Sequence, residues 1–405
     1  MNNVIQNLMR QATRLTQADR LNEATAAIQR ALSGKTNTYG VVTDEEKPVK
    51  PLPSELILDG CVFEVDTHAP SAVRSGADKS TGAVAGADVF TSGAHGHATL
   101  TRRYKLYTPP GSTDRQRPLV VMLHGCTQNP DDFAVGTGMN ERAREQGFCV
   151  LYPEQSQDAN PQRCWNWFKH NHQRRGSGEP ALIASMTQAI MKEHDIDPRR
   201  VYIAGLSAGG AMAAIVADAY PEIFAAVGVH SGLPNGAASN VAEALAVMNS
   251  GHSGHIGHSG SGRQGSAINS GLHGMLPTQA TQSPKPPKPP QPPQRPLRLV
   301  PTIVFHGDQD RTVHPRNGEQ VIASVLGSAA AASPRVEQGV SANGRRYTNS
   351  THHGDAGKVL AEHWLVHGAG HAWSGGQAKG SYTDAKGPDA TAEMLRFFFA
   401  HPHTT

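Results

Sequence analysis

The chain has 405 residues, 38% of them hydrophobic, and a formal net charge of +3 at pH 7 with histidine neutral. This net charge argues against nucleic acid or an anionic membrane as the partner, because such partners are bound by strongly basic surfaces. No apolar run is long enough to span a bilayer. The length allows one large α/β domain with appendages, or two domains.

The first part of the chain predicts appendages. Residues 1–34 carry apolar side chains at helical spacing, which predicts two short amphipathic helices. We favour packing of these helices on the main domain or on a second subunit over adhesion to an apolar surface. Residues 35–95 are predicted to be a linker with short strands, and the Gly-, Ala-, Ser- and Asp-rich stretch 67–97 a loop. The N-terminus lacks the pattern of a secretory signal, so we predict a cytoplasmic location, with secretion by another route as the alternative.

Residues 96–400 show strands that alternate with helices, which predicts an α/β domain with a mostly parallel, doubly wound sheet and helices on both faces. An insertion at about 235–298 interrupts this pattern. It begins with a possible short helix at 241–248 and continues into Gly/His-rich and Pro-rich stretches that we interpret as disordered. The predicted buried strands lie at 118–123, 148–152, 201–204, 225–230 and 301–306, and the predicted helices at 139–146, 180–194, 317–326 and 390–399.

Histidines and cysteines show no metal-binding pattern. His252, His255 and His258 lie in the insertion, where no core would preorganise them, so we predict no functional metal site. The four cysteines lack C-x-x-C spacing. Cys126 and Cys164 flank segments that we expect at the functional site. A disulfide between them is one reading, a reducing cytoplasm favours free thiols, and the question stays open.

The centre of the predicted domain is the Gly-Leu-Ser-Ala-Gly pentapeptide at 205–209. A strand at 201–204 precedes it and a helix at 211–220 follows, and this strand–turn–helix context gives the G-x-S-x-G pattern its meaning. We predict Ser207 as a nucleophile on a strained turn whose glycines avoid clashes. The amide of Ala208, at the start of the helix, is a predicted oxyanion donor. The alternative is a glycine-rich turn with an incidental serine.

Acyl transfer by a serine also needs an imidazole base and a carboxylate that orients it. In this kind of fold the chain order is Ser, then Asp or Glu, then His. We prefer Asp310, just past a predicted strand, over Asp308, which we expect to cap a turn. We prefer His371, in a glycine-bracketed loop, as the base. Its rivals are His306, which we expect to support the nearby backbone, His363 and His367.

A second oxyanion donor is expected from the loop after an earlier strand. The amide of Cys126 fits this position, and His124 is predicted to brace the loop. Two tryptophans in loops near the site, Trp165 and Trp373, are predicted to line an apolar acyl groove. The alternative for each is an ordinary packing role.

Five motifs in this order resemble those of the poly(3-hydroxybutyrate) depolymerase family of esterases. The motifs are His-Gly-Cys-Thr-Gln at 124–128, Cys-Trp-Asn-Trp at 164–167, Gly-Leu-Ser-Ala-Gly-Gly-Ala-Met at 205–212, His-Gly-x-x-Asp-x-x-Val at 306–313 and Gly-His-Ala-Trp-Ser-Gly-Gly at 370–376. The resemblance implies the α/β-hydrolase fold over about residues 96–400 without the insertion. It also implies a triad of Ser207, Asp310 and His371, an oxyanion hole from the amides of Cys126 and Ala208, and no metal or organic cofactor.

The same resemblance implies a serine esterase that cleaves 3-hydroxybutyrate-type polyester or its oligomers through an acyl-enzyme. Secreted members typically add a signal peptide and a polymer-binding domain, and neither is recognised here. We therefore expect intracellular polymer, at a granule surface, soluble oligomers or a small ester as substrate. The alternatives are a feruloyl- or acetylxylan-type carbohydrate esterase and a non-catalytic granule-binding protein. Oligomeric state and chain-length preference stay open.

Overall fold

The computed structural model describes residues 88–111, 116–251, 299–327, 333–354 and 357–404. The predicted N-terminal helices at 1–34, the linker up to residue 87 and the insertion from residue 252 to 298 lie outside these ranges. Those predictions therefore stay predictions.

Ten strands of the described chain form one sheet with the order β1-β2-β4-β3-β5-β6-β7-β10-β9-β8. The six central strands are parallel to one another: β4, β3, β5, β6, β7 and β10. Antiparallel strands flank them at both edges of the sheet. The strands are β1 (Val89–His97), β2 (Leu100–Thr108), β3 (Arg117–Leu123), β4 (Cys149–Pro153), β5 (Ile196–Leu206), β6 (Ala226–His230), β7 (Thr302–Gly307), β8 (Arg335–Val340), β9 (Arg346–His353) and β10 (Val359–Val366). A two-residue pair, β11 (Trp373–Ser374) with β12 (Thr383–Asp384), lies apart from the sheet.

Helices follow most of the parallel strands, as a doubly wound sheet requires. The helices are α1 (Pro130–Thr137), α2 (Met139–Gln146), α3 (Gly178–Glu193), α4 (Ala208–Ala219), α5 (Val241–Ser250), α6 (Arg316–Leu326) and α7 (Ala390–Ala400). None of them is both long enough and apolar enough to cross a bilayer. The short helix predicted at 241–248 is confirmed as α5.

The core lies on both faces of the sheet. Along β5, Val201 and Ile203 point into one apolar cluster, whereas Tyr202 and Ala204 point into the other. Alternate side chains of a strand leave the sheet on opposite faces, so a strand buried on both sides is a continuous apolar run. The observed arrangement is the α/β-hydrolase fold, and the predicted fold class is confirmed.

Besides the two-residue strands β11 and β12, three elements were not predicted, because their own sequences are polar or rich in small residues. The loop predicted at 67–97 ends in β1, which pairs along its whole length with β2 and is largely exposed. The edge strand β8 is exposed in the same way. Helix α1 has a weak apolar pattern, and it is started by Asn129, whose side chain accepts a hydrogen bond from the Asp132 amide.

Candidate active site

Ser207 occupies a sharp turn between β5 and α4. Its backbone has φ 57° and ψ −120°, a region that a residue with a side chain rarely adopts. The Ser207 amide donates to the carbonyl of His230 at 2.8 Å, and its own carbonyl accepts from the amide of Ala211 at 2.9 Å. The strained conformation is therefore fixed by its neighbours, as the predicted nucleophile turn requires.

Two glycines allow this turn to approach the next strand. A Cβ atom on Gly205 would lie 2.4 Å from the carbonyl carbon of Gly209, and one on Gly209 would lie 2.1 Å from the carbonyl oxygen of Leu123. No side chain fits at these distances, so only glycine permits the contact. The start of α4 consequently lies against the end of β3, where the second predicted oxyanion donor begins.

Asp310 and His371 are joined directly. Nδ1 of His371 donates to Oδ2 of Asp310 at 2.7 Å. The other oxygen of the carboxylate, Oδ1, accepts from the amides of Thr312 at 2.9 Å and Val313 at 2.8 Å. Because the carboxylate holds the proton on Nδ1, the Nε2 atom of a neutral His371 is left with its lone pair, which is the form that a general base needs.

His306 is a second imidazole beside the same carboxylate. Its Nε2 atom donates to the carbonyl of Val313 at 2.8 Å and lies 3.4 Å from Oδ2 of Asp310. Burial alone would raise the pKa of Asp310, but the hydrogen bonds from His306 and His371 and their charges outweigh it and hold that pKa far below its usual range. The predicted support of the local backbone by His306 is confirmed, with the carboxylate contact as an addition.

The rival residues form a separate pair. Nδ1 of His367 lies 3.0 Å from Oδ2 of Asp308, and the amide of Gly368 donates to the other oxygen of Asp308 at 2.7 Å. Nε2 of His367 already contacts the hydroxyl of Thr348 at 2.8 Å. This occupied nitrogen is unsuited to take a proton from a serine, so the geometry favours Asp310 and His371 over this pair.

The loop after β3 is held from several sides. His124 donates from Nδ1 to the carbonyl of Gly125 at 2.8 Å and accepts from the amide of Gln155 at 3.1 Å. Burial lowers the pKa of His124 to about 4, so this imidazole is neutral at pH 7. Gln128 accepts from the amide of Gly125 at 2.9 Å. The predicted bracing by His124 is confirmed, and it fixes the backbone that leads into Cys126.

Cys126 and Cys164 form a disulfide, with their Cα atoms 4.2 Å apart. The bond ties the loop of the predicted oxyanion donor to the loop that carries Trp165. The pairing that the sequence left open is therefore present. Disulfides persist mainly in oxidising compartments, so this bond weighs against the predicted cytoplasmic location, which stays a prediction.

A buried carboxylate organises the Cys164 loop. Glu179 has no exposed surface and accepts from the side chain of Gln155 at 2.6 Å. It also accepts from the amide of Asn166 at 2.7 Å and lies 3.3 Å from the guanidinium of Arg102. Because Gln155 also bonds to His124 through its amide, this network connects the two disulfide-linked loops.

The prediction that Trp165 and Trp373 line a groove is wrong. Trp165 has 0% and Trp373 1% of its surface exposed. Trp373 stacks on His230 with ring centroids 5.0 Å apart, and its indole N–H donates to the hydroxyl of Thr391 at 3.0 Å. Both indoles belong to the apolar clusters, so neither presents a face to a substrate.

His230 connects the nucleophile turn to the histidine loop. Its carbonyl holds the Ser207 amide at 2.8 Å, and its Nε2 accepts from the amide of Ser374 at 2.9 Å. Burial, together with the nearby His306 and His371, lowers the pKa of His230 to about 3, and Asp310 only partly opposes this shift. His230 therefore contacts the Ser207 turn through its carbonyl and the loop after His371 through its neutral imidazole.

One contact of the predicted triad is not formed. Among the described residues, the Ser207 hydroxyl has no hydrogen bond to His371. The roles of Ser207, Asp310 and His371, and of the Cys126 and Ala208 amides, stay predictions. In the described part of the chain no group of three His, Cys, Asp or Glu side chains is suited to a metal ion.

Sequence reasoning missed three residues that shape the site. Each of them makes a hydrogen bond to a segment that is distant in sequence. Gln128 donates to the carbonyl of Ser381, 253 positions away. His230 accepts from the amide of Ser374, 144 positions away, and Glu179 accepts from Arg102, 77 positions away. For Gln128, its place in the His-Gly-Cys-Thr-Gln motif was the available signal. A charged residue in the first turn of an apolar helix was the signal for Glu179.

Comparison with known proteins agrees with these motifs. Residues 102–256 match the family model described as Esterase PHB depolymerase. The chain is similar to Poly(3-hydroxyalkanoate) depolymerase C of Paucimonas lemoignei, with 37% identity over 142 residues that cover 35% of this chain and 34% of that protein. It is also similar to Feruloyl esterase B of Thermothelomyces thermophilus, with 33% identity over 136 residues that cover 33% of this chain and 46% of that protein. The chain thus spans between a third and a half of the length of these relatives.

Among solved structures, the chain is similar to an acetyl xylan esterase from Aspergillus awamori. The TM-score is 0.50 at 19% identity, over 74% of this chain and 94% of that one. An identity this low carries information on the fold alone. The predicted resemblance is confirmed: residues 102–256 resemble the Esterase PHB depolymerase family, on an α/β-hydrolase fold.

Proposed function

We propose that this chain is a serine esterase that hydrolyses 3-hydroxybutyrate-type polyester or its oligomers. The observation that carries the proposal is the 2.7 Å hydrogen bond between His371 and the buried carboxylate of Asp310. It fixes the imidazole in the tautomer that a serine hydrolase needs. The strained backbone of Ser207 and the similarity to a poly(3-hydroxyalkanoate) depolymerase support the same assignment.

The reaction follows from these groups. Ser207 Oγ attacks the ester carbonyl carbon, and its proton passes to Nε2 of His371. The amides of Cys126 and Ala208 donate to the oxyanion of the tetrahedral intermediate. The intermediate collapses, the C–O bond to the alcohol breaks, and His371 returns the proton to the leaving alkoxide. Water then attacks the acyl-enzyme with His371 as base, which releases the hydroxy acid and restores Ser207.

Asp310 contributes through charge and position. Its carboxylate is ionised far below neutral pH and is buried beside His371, so it stabilises the imidazolium that forms when Ser207 loses its proton. The proposed reaction needs no cofactor. We expect the rate of ester hydrolysis to be unchanged by a chelator such as EDTA.

A carbohydrate esterase is the second candidate. The similarity to Feruloyl esterase B favours it, and a Ser-His-Asp triad is suited to feruloyl and acetyl esters as well as to polyesters. The discriminating experiment is product analysis of the purified full chain on amorphous polyhydroxybutyrate, feruloylated xylan and acetylated xylan. Release of 3-hydroxybutyrate or its oligomers supports the polyesterase. Release from the xylans alone would replace it with the carbohydrate esterase.

Granule association is a further part of the proposal. Binding of the full chain and of a chain lacking residues 1–34 to amorphous polymer granules tests whether that segment contributes. Tight binding without turnover of short p-nitrophenyl esters would favour the non-catalytic alternative and overturn the esterase.

A further inference from the structure

Tyr382 is an exposed aromatic residue in a strained backbone conformation. Its side chain is 38% exposed, whereas Tyr152 and Tyr202 are completely buried. Its φ angle is 52°, in the left-handed region that glycine favours and bulky residues avoid. A packing role in the core explains neither property. Strain of this kind persists where the surroundings enforce it, and it is concentrated at functional sites.

The surroundings enforce the strain on both sides. The carbonyl of Tyr382 accepts from the amide of Trp373 at 2.7 Å. The amide of the preceding residue, Ser381, donates to Asp132 at 2.9 Å, and the following residue, Thr383, is paired in β12 with β11. The main chain is therefore held from two directions, while the side chain stays partly exposed.

The hydroxyl of Tyr382 reaches the predicted oxyanion loop. It lies 3.2 Å from the hydroxyl oxygen of Thr127, 255 positions away in sequence. Thr127 donates its own proton to the carbonyl of Cys126 at 2.6 Å, so Tyr382 is the donor in the contact between them. Thr127 is exposed and has a φ angle of 65°. Two strained residues thus meet beside the amide that is proposed to hold the oxyanion.

We propose that Tyr382 and Thr127 form the subsite for the substrate chain next to the scissile ester. If the carbonyl oxygen of the scissile ester accepts a hydrogen bond from the Cys126 amide, the adjoining part of the substrate chain lies beside the next residue, Thr127. There the fixed ring of Tyr382 offers an apolar face, with little side-chain entropy left to lose. The ligand assigned to this face is an aliphatic 3-hydroxyalkanoate unit. This assignment rests on the proposed function and deepens it.

The test compares two esters in the full-length protein. Tyr382→Gly removes the ring, and glycine adopts the positive φ angle without strain. We therefore expect the Tm of this variant to equal or exceed that of the wild type. The ratio of kcat/KM for a 3-hydroxybutyrate trimer to that for p-nitrophenyl acetate should fall by about tenfold or more, because acetate has no chain for the ring to contact. Tyr382→Phe keeps the ring and should lose less. Val336→Ala, at an exposed apolar position on β8, is the matched control and should leave the ratio unchanged.

Three results would overturn the assignment. An equal loss on both esters with a lowered Tm would make the ring a structural element of the oxyanion loop. An unchanged ratio in Tyr382→Gly would mean that the chain runs elsewhere. A larger loss on methyl ferulate than on the trimer would replace the aliphatic ligand with an aromatic acyl group. If the wild-type protein turned over none of these esters, the proposed function itself would fall and the subsite with it.

Discussion

The carboxylate of Asp310 faces His371 from a buried position, with Oδ2 2.7 Å from Nδ1 of the imidazole. The neighbouring pair, Asp308 and His367, has almost the same separation, 3.0 Å, but it is more exposed to solvent. In addition, the second ring nitrogen of His367, Nε2, is hydrogen-bonded to Thr348. Replacing the aspartate by asparagine should therefore have different effects on kcat in the two pairs.

Asp310→Asn should lower kcat by about 10³- to 10⁴-fold, because an amide donor opposite Nδ1 favours the wrong tautomer of His371. Asp308→Asn is the matched control and should keep kcat within about threefold while lowering stability by about 1 kcal/mol, through lost hydrogen bonds to His367 and Gly368. Steady-state kinetics on p-nitrophenyl butyrate and thermal unfolding measure both. The reverse ranking of the two variants would assign the catalytic carboxylate to Asp308.

Reduction of the Cys126–Cys164 disulfide should lower both activity and stability. The bond closes 38 residues, for which loop-closure entropy gives about 4 kcal/mol of stabilisation. Release of the Cys126 loop should also misplace its amide, with a fall in kcat of about tenfold or more. Dithiothreitol should reproduce the Cys164→Ala phenotype in the wild type and have no added effect on that variant. Cys149→Ala should respond to the reductant like the wild type, and activity that survives reduction unchanged would contradict the role of the bond.

The protein should lose stability as the pH falls from 7 to 5. The pKa of His124 is about 4 in the folded chain, below the ordinary 6.5, so the unfolded chain binds more protons in this interval. This one residue should cost about 2 kcal/mol at pH 5. The lowered pKa of His230 likewise reduces stability as the pH falls, whereas the lowered pKa of Asp310 affects stability only below its ordinary value, near pH 4.

The variant His124→Gln tests this assignment. It should be less stable than the wild type at pH 8, but its free energy of unfolding in urea should depend less steeply on pH. An unchanged slope would mean that His124 is not buried in its neutral form.

Gly209→Ala should be severely destabilising, by about 3 kcal/mol or more, because the new Cβ meets the backbone oxygens of Leu123 and His124 at 2.1 and 2.5 Å. All of these atoms belong to the main chain at the end of β3, so there is no flexible side chain that could move aside. Gly354→Ala is a suitable control, since its nearest contact would be an ordinary 3.6 Å. Equal unfolding midpoints for the two variants would show that α4 can move away from β3.

What the sequence could predict depended on how local the signal was. The turn at Ser207 was predictable because strand, glycines and helix are contiguous, and Asp310 and His371 each follow a buried strand. The burial of Trp165 was not predictable, because this residue lies in a loop without a periodic pattern. The exposure of Tyr382 beside Thr127 was not predictable either, because the two residues are 255 positions apart in sequence. The edge strands β1 and β8 are formed by pairing rather than by their own apolar residues, and the disulfide depends on proximity rather than on spacing.

The most direct measurement is covalent labelling of the full chain with a fluorophosphonate, followed by peptide mass spectrometry, in the wild type and in Ser207→Ala. We expect one adduct per chain on Ser207 in the wild type, with neither adduct nor ester hydrolysis in the variant. An adduct on another residue, or hydrolysis that persists in Ser207→Ala, would contradict the assignment of Ser207 as the nucleophile.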